Sequence, residues 1–489
     1  MRSHDSSNCD DALPRQARTN GGKMTSATTL PARAHVIVLG AGLAGCCAAL
    51  AAAESGAEVL LLEKLPSIGG SSRLSGGGFA FAGIDAQRAT GIEDGPELLR
   101  QDMARIGRGF ADPRLIDVYV RRQADTYEWL CGHGVRFTSL QTGSGNSVPR
   151  VLRSDTEQLF AALGAALEKL PNATLRRPVA VTRLLHDAGG VHGVRTDTTG
   201  DPIDIRCAGV VLATGGFSRS EDLVRTFAPG MLQAVPVGGD GCTGDGLRLA
   251  CAAGAGLRDM GFVRATFGSH PSARGARNLM MHPIYKGAIV VNKHGRRFVD
   301  ESRPYKELGD SVLAQPDAIG YQVFDRTVME KSDPQAVTYD FRGALERGLV
   351  VQAESLDALA RAIQVDATAL ARSVSEYNAA IHGHAPDAFG RTTLPGGQPR
   401  TPVQAPPFYA YPSTAVLLAT YCGLAIDTAA RVLDVFGQPI PGLFAAGELT
   451  GGVHGAGYLS GTSLGKAAIF GRIAGCNAAS FSPERTGRT

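Results

Sequence analysis

The sequence predicts an α/β fold built on a parallel sheet, with a second domain inserted into the first. Three stretches carry that expectation. Residues 35–63 read as an apolar strand, a glycine turn, an Ala-rich helix and a second apolar strand. Residues 209–216 form a buried strand that runs straight into Ala213-Thr-Gly-Gly. From Pro441 onward the chain repeats strand, glycine loop and helix, the helix starting near Gly461. In the first stretch Gly40 allows the tight turn. Gly42 lets a pyrophosphate approach the backbone, and Gly45 lets helix and strand pack closely. Phosphates at the helix N-terminus meet free N–H groups and the positive end of the dipole. Glu63 lies about twenty residues beyond the turn, where an acid takes the ribose hydroxyls of an adenosine. The pattern as a whole, rather than the glycines alone, reads as a dinucleotide site.

Composition narrows the class. At 489 residues the chain has room for two or three domains, and 62 glycines with 19% charged residues suit an α/β enzyme of many tight turns. A net charge of +3 is too small to argue for nucleic acid or an anionic membrane surface. The nine cysteines form no C-x-x-C pair and no haem attachment motif; Cys46 and Cys47, adjacent on the first helix, read as small core residues. Free thiols in a reducing cytosol follow, and no apolar run approaches the length of a membrane span. The expected location is cytoplasmic. Residues 1–33 are polar and read as a disordered extension, with Met24 as an alternative start.

Taken in order, the segment from Pro66 to Gly83 is a glycine-rich loop placed to pack on the cofactor. Asp112-Pro113 starts a helix as N-cap and first residue, with Leu115, Val118, Trp129 and Leu130 on its apolar face. Residues 173–213 alternate strands and turns, and 239–254 form another glycine loop opening a helix. Around 262 the texture changes, and a helical spacing runs from Leu356 to Ile381. The Pro- and Gly-rich segment 393–407 reads as a return crossing. The expected domains are 34–262 and 403–480 as two parts of one nucleotide-binding domain, 263–402 as an inserted α+β capping domain, and 481–489 as a tail.

Five separated motifs resemble one family in their order: VIVLGAGLAG…LLLEK, GGSSRLSGGG, VVLATGGF, GDGLRLA and GLFAAGELTGGVHG…SGTSLGKAA. It is the FAD-dependent fumarate reductase and 3-ketosteroid dehydrogenase group, which also holds the succinate dehydrogenase flavoproteins. The resemblance implies FAD as cofactor, on a Rossmann-like FAD-binding domain with a capping domain closing the active site. It places Gly40, Gly42, Leu43, Ala44, Glu63 and Lys64 on the cofactor, with Gly70, Ser71, Ser72, Ser75, Gly76 and Gly77 from the glycine loop. Ala213, Thr214, Gly215, Asp245, Glu448, Ser463 and Leu464 complete that set. The shared chemistry turns a C–C single bond into a C=C bond or the reverse; the cofactor carries the hydride and a side chain the proton.

Departures from the family pattern point to the substrate. Where soluble fumarate reductases follow GRRFVDE with a proton-delivering arginine, this chain has Tyr305. Where a second arginine clamps a carboxylate, it has Tyr458, and Leu418-Ala419 replace a histidine pair ahead of Thr420-Tyr421. An arginine fork is the usual carboxylate clamp. Glu301-Ser-Arg-Pro-Tyr305 resembles the E-S-x-P-Y run of 3-ketosteroid Δ1-dehydrogenases, and Tyr458-Leu-Ser460-Gly461 the Y-x-S-G run of the Δ4-(5α)-dehydrogenases. The resemblance implies Tyr305 for proton transfer and Tyr458 for holding a ketone, with Ser460 and Tyr421 beside them. Ser460 reads equally well as a helix cap, Glu301 as a loop anchor, His454 as a backbone-orienting residue, and His270 and His282 as surface residues. The expected function is an FAD-dependent 3-ketosteroid dehydrogenase-like enzyme with an unidentified electron acceptor. Its rivals are an enzyme for a small carboxylate (fumarate, succinate or tricarballylate), with Arg264, Arg274, Arg277 or Arg303 as the clamp, and the flavin subunit of an electron-transfer complex.

Overall fold

Val36–Leu39, Val59–Leu62 and Gly209–Leu212 are runs of aliphatic residues buried at every position, as strands covered on both faces must be. In this computed structural model, which describes residues 30–197, 200–273, 279–394 and 397–482, they form the centre of a six-stranded sheet. The order is 431–433, 439–445, 209–212, 36–39, 59–62 and 173–176. All neighbours are parallel except Arg431–Leu433, which runs against Pro439–Ala445. The helix Leu43–Glu54 leaves the glycine turn behind this sheet and is buried from Leu43 to Ala53, Cys46 and Cys47 included. Such a helix is apolar all round because it is covered all round. Its cover is the helix Thr462–Ala479, where Gly471 lies so close to Ala44 that a Cβ would overlap the Ala44 carbonyl oxygen.

A second six-stranded sheet is organised on the long strand Phe408–Leu417. That strand pairs with Gly320–Asp325, Val351–Ala353 and Thr266–Ser269 antiparallel, and with Val235–Pro236 parallel. Ile289–Val291 extends the sheet beyond Gly320–Asp325. Leu356–Ala362 and Ala367–Ile381 close one side with Leu359, Leu370, Val374 and Tyr377. The helical spacing read over 356–381 is therefore two helices, broken where Gln364 takes a left-handed conformation (φ +57°).

The expected boundaries move. The return to the first domain was placed at 403, yet Phe408–Leu417 belongs to the second sheet and the chain rejoins the first only at Arg431–Leu433. Val235–Pro236, expected in the first part, also lies in the second sheet. The Pro- and Gly-rich segment 393–407 leads directly into a strand whose partners are distant in sequence. The described chain from Ala32 onward packs as one compact unit rather than separable lobes. Residues 1–29, with Met24, and most of the 481–489 tail lie outside the described residues. No helix among the described residues is long and apolar enough to cross a membrane.

Candidate active site

The glycine turn opens a cleft along the ends of the first sheet. Gly40 has φ +97° and stands against Ala213 of the neighbouring strand, so a side chain there has neither the conformation nor the space. Gly42 faces the cleft with nothing nearer its missing side chain than Gly69 O at 3.8 Å. Glu63 sits at the end of its strand, buried, accepting from the Ala41 N–H at 2.7 Å and the Leu65 N–H at 2.8 Å. That carboxylate ties the turn to the wall. Lys64 pairs with Asp245 at 2.6 Å and donates to Thr243 at 2.6 Å. Burial pushes Asp245 up, but the bonds from Lys64 and Thr243 outweigh it and hold the carboxyl below its ordinary range.

Of the residues expected on the cofactor, Gly40, Gly42, Leu43, Ala44, Glu63, Lys64, Gly70, Ser71, Ser72, Ala213, Thr214, Gly215, Asp245 and Glu448 line this one cleft. Ser75, Gly76, Gly77, Ser463 and Leu464 do not line it. Ser75 instead bonds back to the Ser72 carbonyl at 2.7 Å, and the Gly76 carbonyl takes a bond from Arg153. Gly239, Gly241 and Cys242, from the glycine loop read at 239–254, join the wall, and so do Val179 and Val181, which no motif announces. The residues fit an adenine dinucleotide on two counts. The backbone at Gly42 is bare, and the Thr214 hydroxyl is buried on the wall with no hydrogen-bond partner of its own.

The four candidates for chemistry come from three remote parts of the chain and meet. Tyr305 is the first residue of the helix Tyr305–Leu313, and its hydroxyl lies 3.2 Å from the Ser460 hydroxyl. Ser460 does not cap the C-terminal helix, whose N-cap is Gly461. The Tyr458 hydroxyl accepts from the Gly461 N–H at 3.2 Å, at the start of that same helix. Tyr421 stacks on Tyr458 with ring centres 4.6 Å apart. It is held at φ +56°, rare for a bulky residue and concentrated at functional sites. The His454 edge meets both rings, at 5.2 and 5.5 Å. Burial raises both Tyr305 and Tyr458; the Ser460 hydrogen bond and Arg153 pull Tyr305 partly back. Burial also drives His454 well below its ordinary range, leaving a neutral imidazole. His282, expected at the surface, is buried, its ring stacked on Tyr305 at 5.9 Å and its Nε2 2.9 Å from the Phe267 carbonyl oxygen. His270 is half-buried beside Ser272.

A profile described as an FAD binding domain matches residues 35–464. The chain belongs to that family. It is 32% identical over 460 residues to a probable fumarate reductase of Shewanella frigidimarina, covering 92% of this chain and 76% of that one. Among solved structures it is similar to the open conformation of a flavocytochrome c3 fumarate reductase, at 31% identity and a TM-score of 0.79 over 92% of this chain and 78% of that one. It is also similar to the 3-ketosteroid-Δ4-(5α)-dehydrogenase of Rhodococcus jostii, at 26% identity and a TM-score of 0.74, covering 93% and 99%. The protein is thus an FAD-dependent oxidoreductase acting on CH–CH bonds, of the fumarate reductase family.

In the flavoprotein a buried ionic network holds the chain at Glu301, just before Tyr305. The Glu301 carboxylate, fully buried, accepts from the Val290 N–H at 3.0 Å, from Arg297 at 2.8 and 3.0 Å and from Arg391 at 3.2 Å. Asp387 pairs with Arg297 at 3.0 Å and Arg400 at 3.2 Å. The loop anchor read at Glu301 is what the structure shows. Of the arginines named as alternative clamps, Arg264 is paired with Asp310 at 3.1 Å and Arg303 is exposed. Arg274 and Arg277 lie outside the described residues.

One test of the cleft is a single methyl group. In Gly45→Ala the new Cβ would overlap the Gly40 carbonyl oxygen, which is backbone and cannot turn aside. The expected outcome is protein recovered without flavin, or not recovered, read as the ratio of visible to 280 nm absorbance.

Proposed function

We propose that this flavoprotein interconverts a C–C and a C=C bond next to the carbonyl of a neutral ketone of the 3-ketosteroid class. The observation that carries the reading is the disposition of the two phenols. The Tyr458 oxygen already accepts from the Gly461 N–H, so its own proton is available to a substrate carbonyl. A carbonyl held this way has a more acidic neighbouring C–H, because the enolate shares its charge with the hydrogen bond. Tyr305, coupled to Ser460, is placed to take that proton in desaturation or to return it in reduction. Burial makes the phenolate form that accepts a proton scarce, and the hydrogen bond with Ser460 works the other way by stabilising it. When bound, the flavin supplies the matching two-electron hydride exchange. The balance is one hydride and one proton per double bond. Tyr421 supplies a flat apolar wall against Tyr458.

The second reading is a small carboxylate, favoured by the 32% identity to a probable fumarate reductase. The cytosol remains the proposed compartment: the eight cysteines among the described residues are all free thiols, as a reducing environment keeps them.

Anaerobic titration of the purified holoprotein separates the readings. Saturated and Δ4 3-ketosteroids are expected to bleach the visible flavin band, and 1,4-dienones to restore it after chemical reduction. Bleaching by succinate or tricarballylate alone, with steroids inert, would overturn the ketone assignment.

A further inference from the structure

Lys306 follows Tyr305 on the same helix and is 7% exposed. Its ammonium lies 4.9 Å from the centre of the Tyr421 ring, which in turn stacks on Tyr458. It makes one hydrogen bond, to the Arg264 carbonyl at 3.1 Å, out of three that an ammonium can donate. Among the described residues it has no ion-pair partner. Asp310, one turn further along the helix, is engaged with Arg264, and Glu448 accepts from the Thr420 N–H at 3.0 Å. Arg264, His454 and Tyr421 are the other titratable groups around it, and none supplies a negative charge.

A buried ammonium with two idle donors is an expensive arrangement. Nothing in the packing demands it: the position could hold methionine at similar volume. What it supplies is a cationic amine beside Tyr421 and the cluster that Tyr421 shares with Tyr458 and neutral His454, none of which carries a charge.

We infer that Lys306 is a further substrate-recognition residue, whose ammonium pairs with an anionic oxygen of the bound molecule. Two sources share that chemistry: the oxygen of an enolate formed beside a ketone, and a carboxylate carried by the substrate. The first deepens the proposed function and rests on it; the second belongs to the rival reading. In support, burial lowers Lys306 to about 7 against the pull of Asp310 and Glu448, as for an amine awaiting its counter-ion. An anion arriving beside it would restore the charged form and draw in a proton.

The test is binding to the FAD-loaded protein, with no turnover required. A series of substituted phenols of falling pKa mimics the enolate oxygen, and succinate and fumarate represent the carboxylate; the perturbed flavin spectrum reports binding. Affinity is expected to rise as the phenol becomes more acidic. Lys306→Met is expected to flatten that trend and weaken the acidic members roughly ten- to a hundredfold, with Lys306→Arg restoring most of it. The same loss for succinate or fumarate, with a flat phenol series, assigns the anion to a carboxylate. Lys306→Gln and the bound-flavin spectrum of each variant show that the fold is intact. If wild type and Lys306→Met bind both series alike, or wild type binds neither, the inference is wrong. Its failure is separable from that of the proposed function: steroid bleaching with no anion preference removes Lys306 alone, whereas an anion preference without steroid bleaching removes the ketone.

Discussion

Tyr305→Phe is expected to slow flavin reduction by the true substrate by about two to four orders of magnitude, with flavin content and melting temperature unchanged. The substitution removes one oxygen. The ring keeps its place on His282, and the helix Tyr305–Leu313 begins where it did. What is lost is the partner of the Ser460 hydroxyl and, on the proposed reading, the group that moves the proton. Tyr458→Phe should instead take away the carbonyl's hydrogen bond, and the ring stack on Tyr421 survives. Because an enolate binds that bond more tightly than a ketone does, kcat should fall along with the rise in KM. Combining the two should cost less than the product of the single effects, since both serve one proton transfer. Rapid-mixing measurement of flavin reduction with each variant decides the matter. Full turnover in both would refute the assignment of proton transfer to Tyr305 and of the ketone anchor to Tyr458.

The largest expected effect on stability belongs to Glu301→Ala. The side chain is fully buried and neutralises Arg297 and Arg391, the second of which is itself fully buried. Taking away the carboxylate leaves guanidinium charge facing an apolar core of Tyr377 and its neighbours, together with an unpaired Val290 N–H. Breaking a buried pair from one side costs about 3–5 kcal/mol, enough to use up much of the stability of a typical domain. Asp387 still holds Arg297, which puts the estimate at the lower end of that range rather than the upper. Glu301→Gln keeps the acceptor oxygen and should lose less. Thermal denaturation of both variants, followed by circular dichroism, checks the order. A melting temperature within a degree or two of wild type for the alanine variant would show that the network is not what holds the loop before Tyr305.

Local chemistry was readable in the sequence and long-range pairing was not. The turn around Gly40 and Glu63 announces itself because a phosphate and a ribose make demands on adjacent backbone, so the signal is concentrated in a few residues. Short motifs mark Tyr305, Tyr458 and Ser460, and the structure brings Tyr305 to Ser460 across 155 residues of sequence. The strand Phe408–Leu417 was missed because Pro412 lies within it and its partner Gly320–Asp325 is remote. His282 was read as a surface residue because nothing beside it in sequence shows that it stacks on Tyr305. Lys306 is the sharper case. A lysine inside a helix that also carries Glu307 and Asp310 reads as a solvated charge, and only the packing of Arg264 and Tyr421 against it shows otherwise.

The sheet order also constrains how a cell can make this protein. A ribosome releases Val36–Leu39 and Leu43–Glu54 before the second sheet, whereas the strand Pro439–Ala445 and the covering helix Thr462–Ala479 emerge only after the whole of that sheet has been made. Between those events a helix buried along eleven successive positions in the finished protein has no lid, and the nascent chain must carry it exposed or shielded by a chaperone. The nucleotide cleft draws its walls from Leu39 through to Ala467, so it closes only after Ala467 has been made. A complete flavin cleft therefore cannot exist before that segment has folded onto the first strands.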